Sequence, residues 1–127
     1  MEKTYSKITI EKAVQLIGKC LCCNSIREIE EALNSYNKKN GTQYSVETEY
    51  KLYTTKNCTN CVFLKSLVNS QKLRIEIVEA QEKHISYLQK NNITAFPVLE
   101  IKAGQKLEFI FGKDAGEYIA SNLQKFK

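Results

Sequence analysis

The sequence predicts an α/β protein in which a mixed four-stranded sheet flanked by helices follows an N-terminal helical hairpin. Two observations predict this class. Beyond residue 50, short segments in which polar and apolar residues alternate, as in strands, are interspersed with segments whose apolar residues have helical spacing. Before residue 40 the apolar residues follow helical spacing alone. We therefore expect an N-terminal helical extension over residues 1–49 and an α/β domain over residues 50–127.

The N-terminal extension is expected to contain two helices. Thr9 is a suitable N-cap for the first helix, and Asn24 and Ser25 separate it from a second helix. The turn signal Asn40-Gly41 then leads the chain away. Apolar residues recur at helical spacing at Ile10, Val14, Ile17, Leu21, Ile26, Ile29, Leu33 and Tyr36. We expect residues 9–39 to form a helical hairpin and residues 42–49 to form a polar connection or an edge strand.

The expected order beyond residue 50 is strand, helix, strand, helix, strand, strand, helix. The expected strands occupy residues 50–54, 74–78, 97–101 and 107–111. The first two expected helices occupy residues 61–68 and 80–90. Asp114 is expected to cap the final helix. The crossover helix makes the first two strands parallel, whereas the short connection around Gly104 makes the last two antiparallel. This is the arrangement of thioredoxins and glutaredoxins.

Composition narrows the classes of protein. Of the 127 residues, 43% are hydrophobic, which suffices for a packed core, and there is one proline. No apolar run approaches the roughly 18 residues of a membrane span. The N-terminus lacks the apolar core of a secretory signal. We therefore expect a cytoplasmic protein without a membrane partner.

The net charge of +5 comes entirely from the second region. Residues 1–49 carry seven basic and seven acidic residues, whereas residues 50–127 carry twelve and seven. The lysines are scattered and form no stripe interleaved with aromatic residues, so we expect no nucleic-acid partner. The basic surplus suits an acidic partner or an anionic small molecule.

The motif Cys58-Thr59-Asn60-Cys61 directly follows the first expected strand and opens the next helix. Unpaired N–H groups and the dipole of a helix N-terminus stabilise a thiolate at Cys58, and Lys56 adds a nearby positive charge. Cys61 lies one turn later, close enough to close a disulfide. The motif predicts thiol–disulfide exchange, with Cys58 as the attacking thiol and Cys61 as the resolving thiol. A zinc site or two core cysteines are the alternatives that a Cys-x-x-Cys pair leaves open.

Two segments of the sequence resemble glutaredoxins. Residues 52–67 read Leu-Tyr-Thr-Thr-Lys-Asn-Cys-Thr-Asn-Cys-Val-Phe-Leu-Lys-Ser-Leu. This segment resembles the active-site segment of glutaredoxins, and resembles still more that of the glutaredoxin-like electron donors of ribonucleotide reductase. Residues 93–101 read Ile-Thr-Ala-Phe-Pro-Val-Leu-Glu-Ile and resemble the segment in which this family places a cis-proline beside the active cysteine. The resemblance covers roughly residues 50–125.

The resemblance implies a thioredoxin-like fold and dithiol oxidoreductase activity. The thiolate is itself the reacting group, so the exchange step needs no metal and no organic cofactor. The implied partners are a disulfide-containing protein substrate and an external reductant, either glutathione or a thioredoxin-reductase-type enzyme. The residues expected to contact substrate are Lys56, Thr59, Asn60, Phe96, Pro97, Gly112 and Asp114.

The chain departs from the glutaredoxin pattern at three places, one of which is Phe96, a bulky residue where Thr, Val or Ile usually precedes the proline. Thr59-Asn60 stands where glutaredoxins usually carry Pro-Tyr. Phe111-Gly-Lys-Asp stands where they usually carry Gly-Gly-x-Asp, although Gly112 and Asp114 can still form a reduced anion site at the start of a helix. We therefore expect weak glutathione recognition.

A second group of thiols, Cys20-Leu-Cys22-Cys23, lies in the N-terminal extension. We expect these cysteines to pack in a helix interface, as free cysteines commonly do. A redox relay or regulatory disulfide is one alternative, and a zinc or iron–sulfur site shared with Cys58 and Cys61 is another. Two further functions therefore stay open: a metal-binding structural or regulatory module, and a thioredoxin-fold adaptor with vestigial redox activity.

Overall fold

A computed structural model describes residues 5–127 of the chain. The strands of these residues are β1 (Ser6–Ile8), β2 (Tyr44–Val46), β3 (Glu49–Thr54), β4 (Glu76–Glu79), β5 (Val98–Ala103) and β6 (Lys106–Phe111). The α-helices are α1 (Ile10–Ile17), α2 (Ile26–Asn40), α3 (Thr59–Ser70), α4 (Glu82–Lys90) and α5 (Lys113–Ser121). A 3-10 helix over Leu123–Phe126 follows α5.

The chain divides into two compact units. The first combines the residues up to Glu49 with Ile101–Glu108, and the second combines Tyr50–Glu100 with Phe109–Lys127. The first unit therefore includes the far half of the β5–β6 hairpin. The division into residues 1–49 and 50–127 stays a prediction about domain organisation.

In the first unit, α1 packs against α2, which is the expected helical hairpin. Strands β1 and β2 pair in parallel, with Ser6 opposite Tyr44 and Ile8 opposite Val46. Strand β2 lies within residues 42–49, for which an edge strand is one of the two predicted alternatives, whereas β1 is not predicted from the sequence. The buried apolar residues of the unit are Ile10, Ala13, Ile26, Ile29, Leu33, Val46, Ile101 and Ala103.

The two helices of this unit begin at side-chain caps. Thr9 accepts a hydrogen bond from the backbone N–H of Lys12 at 3.2 Å, as predicted. Ser25 and Glu28 form a capping box, in which the Ser25 hydroxyl accepts from the Glu28 N–H and the Glu28 carboxylate accepts from the Ser25 N–H. These bonds satisfy N–H groups that have no partner within the helix.

Helix α1 ends earlier than its spacing predicts. Gly18 adopts a left-handed φ of 68°, and its N–H donates to the carbonyl of Val14. Because a glycine in this conformation closes a helix, the chain leaves helical geometry after Ile17. The prediction that the first helix continues through Leu21 is therefore wrong, and the cysteine-rich segment lies in the loop between α1 and α2.

The four-stranded sheet has the order β4–β3–β5–β6. Strands β3 and β4 are parallel, with Lys51 opposite Glu76 and Thr54 opposite Glu79, as the crossover through α3 predicts. Two residues connect β5 to β6, a length that fits an antiparallel hairpin and is far too short for a parallel crossover. The predicted thioredoxin-like fold, a mixed four-stranded sheet flanked by helices, is therefore confirmed.

The last helix of the second unit begins one residue before Asp114. Gly112 is its N-cap, and Asp114 lies in the first turn, so the prediction that Asp114 caps the helix is wrong. The fully buried side chains of this unit include Leu52, Cys61, Leu64, Val98, Leu99 and Ile119. Among residues 5–127, none of the helices combines the length and the apolar character that a membrane crossing requires.

Candidate active site

The dithiol motif lies at the junction of β3 and α3. Cys58 is the N-cap of α3, and the backbone N–H of Cys61 donates to the Cys58 sulfur at 3.1 Å. The Cys58 carbonyl also accepts the N–H of Val62 as an early hydrogen bond of the helix. Cys58 and Cys61 are joined by a disulfide, with their Cα atoms 5.1 Å apart. The strand therefore delivers Cys58 to a helix N-terminus, as the sequence predicts.

The two sulfurs of this disulfide differ in accessibility. Cys61 is 0% exposed, whereas Cys58 is half-buried. Cys61 lies on the buried face of α3 with Leu64 and Val68, because residues three and four apart share one face of a helix. A disulfide carried by another macromolecule can therefore reach Cys58 but not Cys61.

Two exposed apolar side chains directly follow the motif in the sequence. Val62 and Phe63, the two residues after Cys61, are each 61% exposed, which is unusual for side chains of their size. Thr59 and Asn60 are also exposed, in the first turn of α3. This turn therefore presents two polar and two apolar side chains to solvent.

Lys56 lies in the loop before Cys58, and its ammonium group is 3.9 Å from a carboxylate oxygen of Glu79. Both side chains are largely exposed, so this ion pair adds little to stability. The Glu79 charge also offsets part of the positive potential that Lys56 would contribute near the motif. The role of Lys56 in substrate binding stays a prediction.

The four remaining predicted site residues lie before β5 and at the start of α5. The Phe96–Pro97 peptide bond is cis, as the resemblance implies. The N–H of Gly112 donates to the carbonyl of Pro97 at 2.8 Å, so these two segments are held together. Phe96 is half-buried against a core cluster that includes Tyr53, whereas Asp114 is exposed. The contacts of these residues with substrate stay predictions.

The second unit contains a buried polar cluster that is not predicted from the sequence. The hydroxyl of Tyr87 donates to the carboxylate of Glu100 at 2.7 Å, and that of Tyr53 donates to the same carboxylate at 3.4 Å. Burial and then the nearby Glu100 charge raise the pKa of Tyr53 to about 12, and burial and the bond to Glu100 raise the pKa of Tyr87 as well. The sequence feature that could have indicated this cluster is Glu100, a single glutamate in the apolar run Val-Leu-Glu-Ile of β5.

The three remaining cysteines lie together on the surface of the first unit. Cys20, Cys22 and Cys23 are all exposed, so the prediction that they pack in a helix interface is wrong. The sulfur of Cys22 is 2.8 Å from that of Cys20 and 3.4 Å from that of Cys23. The early end of α1 is the cause, because it releases this segment from the buried helix face.

Hydrogen bonding among these thiols gives Cys20 and Cys23 different pKa values. Bonds from the side chains of Cys22 and then Cys23 lower the pKa of Cys20 to about 7. The pKa of Cys23 rises to about 11, first through its side-chain bond to Cys20. Cys20 is therefore expected to lose its proton before Cys23.

Comparisons with solved structures find thioredoxins. Oxidized thioredoxin O1 from Arabidopsis thaliana is 24% identical over 63% of this chain and 78% of its own, with a TM-score of 0.44. Thioredoxin f2 from Chlamydomonas reinhardtii is 16% identical over 61% and 77%, with a TM-score of 0.44. Plasmodium falciparum thioredoxin is 19% identical over 73% and 80%, with a TM-score of 0.44. No family model and no curated protein matches the chain.

Proposed function

We propose that this protein is a thiol–disulfide oxidoreductase of the glutaredoxin-like kind, which reduces protein disulfides through Cys58 and Cys61. The observation that carries the proposal is the position of Cys58. It is the accessible sulfur of a Cys-x-x-Cys disulfide at a helix N-terminus, with the Cys61 N–H directed at it. In the reduced protein the same N–H would stabilise the Cys58 thiolate.

The first step is attack of the Cys58 thiolate on a substrate disulfide. A bond forms between the Cys58 sulfur and one substrate sulfur, and the other substrate sulfur leaves as a thiolate that takes up a proton. The enzyme and substrate are then joined by a mixed disulfide. Attack by Cys61 is excluded by its burial.

In the second step Cys61 releases its proton to solvent, and the resulting thiolate attacks the Cys58 sulfur. The substrate's remaining sulfur leaves as a thiolate and is protonated, and the Cys58–Cys61 disulfide forms. The pair has then lost two electrons, and the substrate has gained two electrons and two protons. An external reductant, either glutathione or a thioredoxin-reductase-type enzyme, must return two electrons and two protons to the pair before another turnover.

The class of substrate follows from the surroundings of Cys58. Val62 and Phe63 offer apolar area next to the motif, and such area suits a polypeptide better than a small polar disulfide. The basic surplus of residues 50–127 would favour an acidic protein. Protein disulfides are therefore the proposed substrates.

A trapping experiment tests the assignment of the two thiols. Both variants are made with Cys20, Cys22 and Cys23 replaced by serine, so that the other thiols cannot react. Cys61→Ser should accumulate a mixed disulfide with a disulfide-bonded protein such as insulin, because the resolving thiol is missing. The matched variant Cys58→Ser should accumulate none, as seen on non-reducing gels and by mass spectrometry. Trapping through Cys61 in the Cys58→Ser protein would reverse the assignment.

A second experiment identifies the reductant. The oxidised protein is offered glutathione with glutathione reductase, or NADPH with a thioredoxin reductase, and insulin reduction is followed. The altered Thr59-Asn60 pair and the single Gly112 favour turnover with the flavoenzyme. Faster turnover with glutathione would contradict this expectation while leaving the dithiol chemistry intact.

A further inference from the structure

We propose that Cys20, Cys22 and Cys23 form a binding site for a soft monovalent metal ion, with Cu(I) as its chemical type. This site is separate from the Cys58–Cys61 pair and does not depend on the proposed redox function. The three sulfurs come from one loop of four residues, and all lie within 4.8 Å of one another.

The spacing of the sulfurs fits one bound metal ion. Sulfur ligands around one ion lie about 4 Å apart when the metal–sulfur bond is about 2.3 Å long. The Cys20–Cys22 sulfur separation of 2.8 Å is about 1.2 Å shorter than that value and the Cys22–Cys23 separation of 3.4 Å about 0.6 Å shorter, while all three sulfurs lie within 4.8 Å of one another. Small side-chain rotations would therefore place all three thiolates around one ion.

The backbone of the loop is fixed in several places. Gly18 closes α1 on one side of the loop, and the Ser25 capping box begins α2 on the other. Between them, the Asn24 side-chain amide donates to the Cys20 carbonyl at 2.7 Å. The ammonium group of Lys106 donates to the Leu21 carbonyl at 2.8 Å. The metal ligands are therefore largely positioned before an ion arrives, which lowers the entropic cost of binding.

The type and number of ligands favour a soft monovalent ion. Thiolates select soft ions such as Cu(I) and also bind Zn²⁺. Structural zinc is almost always bound by four protein ligands. Within residues 5–127 the group of candidate ligands contains only the three cysteines, with no histidine or carboxylate at ligand distance. Three thiolates and one monovalent ion carry a charge of −2, which Lys106 at Leu21 offsets in part.

The test uses the full-length protein, reduced and handled without oxygen, with Cu(I) as the probe and bicinchoninate as the competing chelator. In a Cys58→Ser/Cys61→Ser background the protein should bind one Cu(I) per chain without a change in its oligomeric state. The matched variant Cys20→Ser/Cys22→Ser/Cys23→Ser, with Cys58 and Cys61 kept, should lose this binding. Circular dichroism should show the loop variant folded, because the replaced loop thiols are exposed, and the same measurement checks the fold of the Cys58→Ser/Cys61→Ser background.

Each remaining outcome decides the proposal. Weakened binding in every single variant, Cys20→Ser, Cys22→Ser and Cys23→Ser, would support a site with three ligands. Binding that follows Cys58 and Cys61, or one ion shared by two chains, would overturn the proposed site. Displacement of Cu(I) by an equimolar amount of Zn²⁺ would overturn its assignment to a soft monovalent ion.

Discussion

At the scale of single residues, two cysteines of identical chemistry differ because of where α3 places them. Cys58 precedes the helix, so its sulfur meets an unpaired backbone N–H and is partly open to solvent. Cys61 is inside the helix on the face that carries Leu64 and Val68 into the core. The difference in their proposed roles therefore follows from one helical turn of separation.

We expect Cys58 to be alkylated before Cys61 in the reduced protein. Iodoacetamide is applied near neutral pH to the protein with Cys20, Cys22 and Cys23 replaced by serine, and the two sites are followed by peptide mass spectrometry. Because a hydrogen bond to a charged group is worth about 1.5–3 kcal/mol, Cys58 should react at least about tenfold faster. Equal rates, or earlier labelling of Cys61, would contradict the assignment.

The loop thiols give a prediction about pH. A thiol reacts as its thiolate, so the rate rises as pH passes upward through the pKa. In the metal-free wild-type protein, alkylation of Cys20 should rise with a midpoint near its pKa of about 7, whereas that of Cys23 should keep rising towards about 11. Site-resolved mass spectrometry across this range measures both. Cys22→Ala removes the first cause of the Cys20 shift and should move the Cys20 midpoint upward.

At the scale of helices and strands, the ends of the elements depend on glycines. Gly18 ends α1, and Gly112 begins α5 with φ of 65° and ψ of −139°. A side chain at such an angle is strained because Cβ crowds the backbone, whatever space surrounds it. Gly18 directly precedes the loop that carries Cys20, Cys22 and Cys23, and the N–H of Gly112 donates to the carbonyl of Pro97, so both glycines lie next to residues of a proposed site.

We expect Gly112→Ala to lower the free energy of unfolding by about 1–3 kcal/mol, the usual cost of a side chain in a disfavoured backbone region. A Cβ at Gly112 meets nothing closer than 3.8 Å, so the cost would come from the backbone angle. Gly116 offers a matched control, because it lies inside α5 and a Cβ there lies 4.0 Å from Leu64. Gly116→Ala should stabilise the protein by about 0.5–1 kcal/mol. Urea unfolding of both variants measures these changes, and similar losses would refute the backbone explanation.

The sequence predicted the long, regular elements better than the short or irregular ones. The sheet and the placement of Cys58 followed from alternating segments and from one motif. Strand β1 has three residues, too few for any periodicity to show. The prediction that the first helix continues through Leu21 is wrong because Leu21 keeps the apolar spacing of the helix, whereas Gly18 adopts a left-handed conformation that ends it.

At the scale of the whole molecule, contacts between residues distant in sequence determine which segments form one compact unit, and local sequence patterns do not show these contacts. Ile101–Glu108 belongs to the same compact unit as the residues up to Glu49, although it consists of the end of β5, the connecting turn and the start of β6. In that unit the Glu108 carboxylate accepts the N–H of Ile26, 82 residues away, at the start of α2. The local residue pattern cannot reveal such a partner, because it predicts the secondary structure of each segment without reference to distant residues.

The buried cluster of Glu100, Tyr53 and Tyr87 affects the stability of the fold at high pH. Tyr53 is 5% exposed and Glu100 is 7% exposed, so an ionised phenol there would lie in a poorly solvated place beside a carboxylate. The folded state therefore holds the neutral form of Tyr53 up to a pKa of about 12, whereas the ordinary value is 10.0. Between these two values the unfolded chain has released its proton and the folded chain has not.

Stability should therefore fall as pH rises from about 10 to about 12. Below pH 10 both states hold the proton, and the contribution of Tyr53 is fully present; above it the unfolded state binds fewer protons and is favoured. A shift of about two pKa units corresponds to about 2–3 kcal/mol. Urea unfolding of the wild type should show this loss, and Tyr53→Phe should reduce it while the Tyr87 bond to Glu100 remains. Tyr5→Phe changes an exposed phenol and should leave the loss as in the wild type. An identical pH dependence in the wild type and Tyr53→Phe would show that Tyr53 does not account for the loss.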